Sequence, residues 1–78
     1  MKKQDKKLHK LRYLREVAGL KQDDMAVLIG CTKPNYCLRE NGKVEFRLSE
    51  IWTIKDALNE KFKKEGRPEV TLEDIFLR

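Results

Sequence analysis

Residues 22–40 read QDDMAVLIGCTKPNYCLRE, and this stretch decides the fold of the 78-residue chain. Apolar residues recur at helical spacing before Gly30, which predicts a short helix over residues 22–29 with one buried face. Asp23 and Asp24 suit the first turn of that helix, because negative charge there favours the helix dipole. Gly30 then ends the helix, since glycine commonly follows the last helical residue.

A second short helix is predicted over residues 33–40. Thr32 can cap its N-terminus, and Pro34 falls in its first turn, where the N–H that proline lacks would have no helical partner. The Asn41-Gly42 pair ends the helix as a turn. Only three residues separate the two helices, and two short helices joined by such a turn predict a helix-turn-helix over residues 22–40.

Further helices are predicted on both sides of this unit. Apolar residues at three- and four-residue steps place them at about residues 6–18, from Leu48 or Ser49 to about Lys64, and in a short turn capped by Thr71. No segment alternates between apolar and polar residues with period two, as a half-buried strand would. The sequence therefore predicts an all-α fold in a single domain covering residues 1–78.

Positive charge is concentrated at the N-terminus. Residues 1–15 hold seven Lys or Arg residues and one Asp, whereas the rest of the chain holds 11 Lys or Arg and 12 Asp or Glu. We interpret residues 1–7 as a basic N-terminal arm. Such an arm can lie along a polyanion, or it can be a solvated tail that aids solubility, and the charge alone leaves both readings open.

Several classes of protein are disfavoured by the composition. The apolar runs are too short to span a membrane, and no apolar segment follows the basic start as in a secretory signal. Cys31, Cys37 and the distant His9 do not form a zinc ligand set, and two cysteines suit reduced thiols in the cytoplasm. There is no Ser/His/Asp set and no glycine-rich phosphate loop. We expect a cytoplasmic, non-enzymatic protein without metal, cofactor or small-molecule ligand.

A set of residues resembles the Cro/cI family of phage and bacterial regulators, also called xenobiotic-response-element or lambda-repressor-like proteins. The matching positions are Leu14-Arg15, Gly19-Leu20, Gln22, Ala26, Gly30, Glu40-Asn41-Gly42-Lys43 and Leu72-Glu73-Asp74-Ile75-Phe76. The resemblance implies a five-helix lambda-repressor-like domain that binds double-stranded DNA as a sequence-specific transcriptional regulator. A repressor or Cro-like homodimer would bind a two-fold operator, with helix 33–40 in the major groove.

The resemblance also implies roles for individual residues. Gln22 and Asn41 match positions that contact phosphate. The positions that face the groove are occupied by Thr32, Lys33, Pro34, Cys37 and Leu38. Asn35 lies near enough to reach a base or a phosphate. Lys43 and Arg47 either contact phosphate or are simply exposed charges. Arg15 and Glu40 match an internal salt bridge that ties the first helix to the third. The residue spacing itself places Tyr36 in the gap between the third helix and the core.

Two departures leave questions open. Arg39 replaces a residue that is usually aliphatic, so its charge is directed either to DNA or to an acidic side chain. Trp52 lies off the apolar face of its helix and belongs either to the rim of the core or to a dimer surface, and Tyr13 and Phe62 raise the same question. An alternative function is an antitoxin-like module, which would bind a toxin partner through the fourth helix and the C-terminus and regulate its own operon.

Overall fold

The computed structural model describes residues 7–77, which form five α-helices and no strand. The helices are α1 (His9–Val17), α2 (Gln22–Ile29), α3 (Lys33–Glu40), α4 (Leu48–Lys64) and α5 (Leu72–Phe76). The prediction of an all-α fold is confirmed over this range. The basic arm at residues 1–7 lies outside the described residues except for Lys7.

The start of α1 differs from the prediction, which placed it at about residue 6. Leu8 has a non-helical backbone, with φ −92° and ψ 76°, and α1 begins only at His9. At this point the Leu8 N–H donates to the carbonyl oxygen of Glu40 over 3.0 Å. The chain is thus held against the end of α3 before α1 begins.

Local caps fix the other boundaries close to where the sequence places them. The Thr32 hydroxyl accepts a hydrogen bond from the Asn35 N–H at 3.4 Å and caps α3. Thr71 and Asp74 cap α5 reciprocally, since each side chain accepts from the other residue's N–H at 3.1 and 2.9 Å. Gly30 closes α2 with φ +75°, a left-handed conformation that favours glycine.

The core draws on every helix. Its largest fully buried side chains are Leu11, Met25, Tyr36, Ile54, Leu58, Phe62 and Ile75. Burying an aliphatic or aromatic side chain of this size stabilises the fold by about 1.5–3 kcal/mol relative to leaving it exposed. Phe62 therefore belongs to the core, whereas Tyr13 is exposed. Tyr36 occupies the core position expected from the sequence.

Two features outside the helical pattern complete the packing. Phe46, in the loop before α4, makes edge-to-face contacts with Tyr36 and with Phe76, at centroid distances of 6.0 and 5.5 Å. Asn59 of α4 forms two hydrogen bonds with the backbone of Val70, donating to its carbonyl at 3.0 Å and accepting from its N–H at 2.7 Å. These contacts hold the loop and the C-terminal segment against α4.

Candidate nucleic-acid interface

The N-terminal part of α3 projects away from the core. Thr32, Lys33, Pro34 and Asn35 are all exposed, whereas Tyr36 is buried. The first turn of α3 is therefore exposed, whereas Tyr36 and Glu40 attach the rest of the helix to the core. Helices that read the major groove present their N-terminal residues in this way.

A groove of about 680 Å³ lies between α1, the beginning of α2 and the two ends of α3. It brings together three of the predicted DNA-binding residues, Gln22, Lys33 and Asn41. Five Lys or Arg residues line it against three acidic ones; the cations are Lys7, Arg12, Arg15, Lys21 and Lys33. The balance of charge favours an anion along this groove.

Beneath the groove, Arg15 and Glu40 form a buried ion pair with Nε and Oε2 2.8 Å apart. A second hydrogen bond, from Nη2 of Arg15 to Oε1 of Glu40, measures 3.3 Å. Arg15 also donates to the carbonyl of Leu20 at 2.9 Å. The pair ties α1 to α3, as the resemblance implies. Burial by itself would lower the pKa of Arg15, but the hydrogen bond and charge of Glu40 raise it above the ordinary value.

Glu40 accepts hydrogen bonds from two further side chains, and neither contact was predicted from the sequence. The Tyr36 hydroxyl donates to Oε2 at 2.8 Å, and the Gln22 carboxamide donates to Oε1 at 3.1 Å. Burial, followed by the charge of Glu40, raises the pKa of Tyr36 above its ordinary value, so the phenol stays neutral. One carboxylate thereby positions residues of α1, α2 and α3.

The remaining predicted contacts lie beyond the groove. Cys37 is half-buried, and its Sγ lies 3.3 Å from Nδ2 of Asn41, which fixes the amide of that predicted phosphate contact. Leu38 is 39% exposed, on the outer side of α3. Lys43 and Arg47 are exposed in the loop that follows, and the Lys43 N–H donates to the Leu38 carbonyl at 2.9 Å.

Arg39 directs its charge to an acidic residue. Its Nε lies 3.2 Å from Oε1 of Glu50, and both side chains are largely buried. The same carboxylate oxygen accepts the Arg47 N–H at 2.9 Å, and Nη1 of Arg39 donates to the Asn35 carbonyl at 3.3 Å. This second ion pair joins the end of α3 to the beginning of α4. The only signal for it in the sequence was a charged residue where the family has an aliphatic one.

Residues 7–77 contain no group of three or more His, Cys, Asp or Glu placed to hold a metal ion, and Cys31 and Cys37 are not joined in a disulfide. None of the described helices is long and apolar enough to cross a membrane. Comparison of the chain with protein-family models, with curated proteins and with solved structures gave no match.

Proposed function

We propose that this protein is a cytoplasmic, sequence-specific DNA-binding transcriptional regulator of the Cro/cI type. In this proposal α2 and α3 form a helix-turn-helix within a five-helix lambda-repressor-like domain. The observation that carries it is the exposed first turn of α3, which stands beside a groove where cations outnumber acids. The residue pattern shared with the family supports the same reading.

Base recognition is assigned to α3. The major groove of B-DNA is about 12 Å wide and admits one α-helix. Lys33 would donate to guanine O6 and N7, and Leu38 would contact a thymine methyl group. Asn35 would reach a base or a phosphate from the same exposed turn. Pro34 offers only apolar contact, so direct readout rests on few side chains.

Phosphate binding is assigned to the groove beside α3. Gln22 and Asn41 line it, and the N-terminus of α2 adds the positive end of the helix dipole. The sugar-phosphate backbone of one strand would cross at this point. Such contacts supply most of the affinity for any duplex, and those made by lysine or arginine weaken as salt rises.

A two-fold operator would be bound by two copies, with half-sites about 34 Å apart, which is one helical turn. Two identical chains read an inverted repeat because each presents the same helix to its own half-site. Regulation would follow from occupancy of the operator, as a repressor or a Cro-like protein acts.

The experiment that tests the proposal is selection from random duplexes at physiological salt, with sequencing of the bound pool. An enriched inverted repeat is the expected result. Binding without enrichment would overturn it, and a stable complex with a separate toxin would favour the antitoxin alternative.

Substitutions then test the assignment of α3. Lys33→Ala, Asn35→Ala and Leu38→Ala should each relax the preference at one base position, by about 1–3 kcal/mol for a residue that contacts the base directly. Lys64→Ala is the matched control, because Lys64 is exposed at the end of α4 and pairs with Glu60. Operator preference that survives all three changes in α3 would rule out this helix as the reader.

A further inference from the structure

The turn after α3 holds the only asparagine of the chain that is followed by glycine, in the pair Asn41-Gly42. In such a pair the glycine nitrogen can attack Cγ of the asparagine, because glycine has no side chain to obstruct the approach. A bond forms between that nitrogen and Cγ, the proton of the nitrogen passes to the side-chain amide, and ammonia leaves. Water then opens the resulting succinimide ring to give aspartate or isoaspartate. This pair is therefore a chemically reactive point in the chain.

The fold holds the attacking nitrogen at the end of α3. Gly42, with φ +78°, donates its N–H to the Arg39 carbonyl at 3.1 Å. The next residue, Lys43, donates its N–H to the Leu38 carbonyl at 2.9 Å. Together these two bonds form the Schellman motif that commonly closes a helix. The nitrogen that would attack Asn41 is thus a donor on which the helix end depends.

The backbone of Asn41 also keeps the reacting atoms apart. Its ψ is 1°, so the Gly42 nitrogen is in line with the Asn41 nitrogen and about a third of a turn away from Cβ. The ring can close only when the Gly42 nitrogen lies beside Cβ, which requires a rotation of the backbone. The half-buried Asn41 side chain is itself held, since Nδ2 donates to Sγ of Cys37 at 3.3 Å.

We propose that Asn41 is a deamidation site that the folded protein protects and that local opening at the end of α3 exposes. Opening must break the Schellman bonds and rotate the Asn41 backbone, and helix ends fray more readily than a packed core opens. The neighbouring Glu40 carbonyl accepts the Leu8 N–H at 3.0 Å, and this contact limits the opening. Because hydrolysis of the ring does not restore the amide, the modified fraction records how often the end of α3 has opened.

Deamidation would remove a proposed DNA contact, and this part of the inference rests on the proposed function. The Asn41 carboxamide can donate hydrogen bonds to a phosphate, whereas the carboxylate of aspartate can only accept them. That carboxylate would also place a negative charge in the groove assigned to phosphate. Isoaspartate would in addition lengthen the main chain by a methylene group at the Schellman motif. Each modified molecule should therefore lose affinity for any duplex permanently.

Peptide mapping that separates asparagine, aspartate and isoaspartate at position 41 tests the protection. The full chain is aged at physiological pH and temperature, both native and unfolded in guanidinium chloride. We expect Asn41 to convert more slowly in the native protein by about tenfold or more, since only the open fraction reacts. Asn59, which is followed by Glu60, is the internal reference for general ageing of the sample. Equal rates at Asn41 in the native and unfolded chains would overturn the proposal.

A variant tests whether the end of α3 controls the rate. Glu40→Gln removes the charge that holds Arg15, whose Nε lies 2.8 Å from Oε2 of Glu40. Conversion of Asn41 should become faster by about tenfold in the native variant and stay unchanged in the unfolded one. Arg67→Ala, which breaks only an exposed pair with Glu65, is the control and should keep the wild-type rate. An unchanged native rate in Glu40→Gln would contradict the proposal, and circular dichroism checks that both variants are folded.

Asn41→Asp reproduces one product and tests the effect on DNA. It should weaken binding to operator and random duplexes by about tenfold or more, because a carboxylate is placed against a phosphate. Leu77→Asp is the matched control, since it adds the same charge at an exposed position after α5, and it should bind as the wild type does. Wild-type affinity in Asn41→Asp would overturn the proposed loss of function on deamidation.

Failure of this inference is distinguishable from failure of the proposed function. If the wild-type chain selects an operator but Asn41 converts equally fast in the native and unfolded states, the protected site is wrong and the DNA-binding proposal stands. If unfolding speeds the conversion as expected but no sequence is enriched, the protected site stands and the DNA-binding proposal fails.

Discussion

The carboxamide of Gln22 donates a hydrogen bond to Glu40, with Nε2 and Oε1 3.1 Å apart. Gln22 stands at the first residue of α2, and Glu40 is the last residue of α3. Glu40 also accepts hydrogen bonds from Arg15 and Tyr36. Gln22, which is proposed to contact phosphate, is therefore held by the same carboxylate that forms the buried ion pair. Stability and DNA affinity should therefore respond together to changes at Glu40.

Replacing Glu40 with alanine should lower the free energy of unfolding by about 3–5 kcal/mol, because Arg15 would remain buried without its carboxylate. Urea unfolding followed by circular dichroism measures the change. The double variant Arg15→Leu/Glu40→Leu should lose less, since no charge is left unpaired and the remaining loss is the acceptor of the buried Tyr36 hydroxyl. As a surface control, Arg67→Ala breaks an exposed pair with Glu65 and should change stability by less than about 1 kcal/mol. Equal losses in the single variant and the surface control would contradict this account.

Gln22→Ala should weaken binding to operator and random duplexes by the same factor, because a phosphate contact carries no sequence information. The dependence of affinity on salt should keep its slope, since glutamine is neutral and releases no counterion. Fluorescence anisotropy titrations at several salt concentrations measure both quantities.

Lys43→Ala provides the comparison for that experiment. If Lys43 contacts phosphate, its loss makes the slope of log K against log salt shallower by about 0.9. An unchanged slope would show that Lys43 is an exposed charge that makes no contact with phosphate. A change of operator preference in Gln22→Ala would show that this residue reads sequence instead.

The double variant Arg39→Leu/Glu50→Leu should lose no more than about 1–2 kcal/mol, because leucines replace the buried pair without leaving a charge and the main loss is the Glu50 cap on the Arg47 N–H. Arg39→Leu alone should cost about 2 kcal/mol, since Glu50 keeps only the Arg47 N–H as a partner. Both variants should discriminate less well between operator and random duplex, because α3 is no longer tied to α4. The exposed pair Glu60–Lys64, changed to glutamines, is the control that should leave discrimination intact.

Alkaline pH should destabilise the protein through Tyr36. Burial and the charge of Glu40 raise the pKa of this phenol in the folded state, whereas the unfolded chain releases the proton near pH 10. The stabilisation is therefore fully present below about pH 10 and is lost as the pH rises beyond it, by at most about 1.4 kcal/mol per pH unit.

Urea unfolding at several alkaline pH values tests this, with Tyr36→Phe as the comparison. All other ionisable groups are common to both proteins, so the difference in slope isolates Tyr36. Tyr13→Phe, at an exposed site, should behave like the wild type. Parallel pH profiles for wild type and Tyr36→Phe would refute the assignment.

Local signals in the sequence were sufficient for the helices and insufficient for several contacts of the candidate site. The limits of α2 and α3 were predicted because Thr32, Pro34 and Gly30 each determine the backbone at their own position. The start of α1 was placed too early, because apolar spacing predicts that Leu8 is buried but does not show that its backbone precedes the helix and is bonded to the far end of α3. Periodicity carries no information about such distant partners.

The side-chain contacts missed from the sequence have the same origin. Gln22 and Glu40 are 18 positions apart, and Arg39 and Glu50 are 11 apart. Each pair meets only after the helices have packed, so neither spacing has a local signature. The pair Arg15–Glu40 is 25 positions apart and was expected only through the family resemblance.

The pairing of Asn59 with Val70 has a bearing on how this chain tolerates change. The Asn59 carboxamide bonds to both the N–H and the carbonyl of Val70, as a peptide group would, and so fixes the backbone at one residue before α5 begins. Residues 65–69 precede that fixed residue and are all exposed. The entropic cost of closing a loop rises only slowly with its length. Residues can therefore be inserted into this segment, or deleted from it, while Ile75 remains buried in the core.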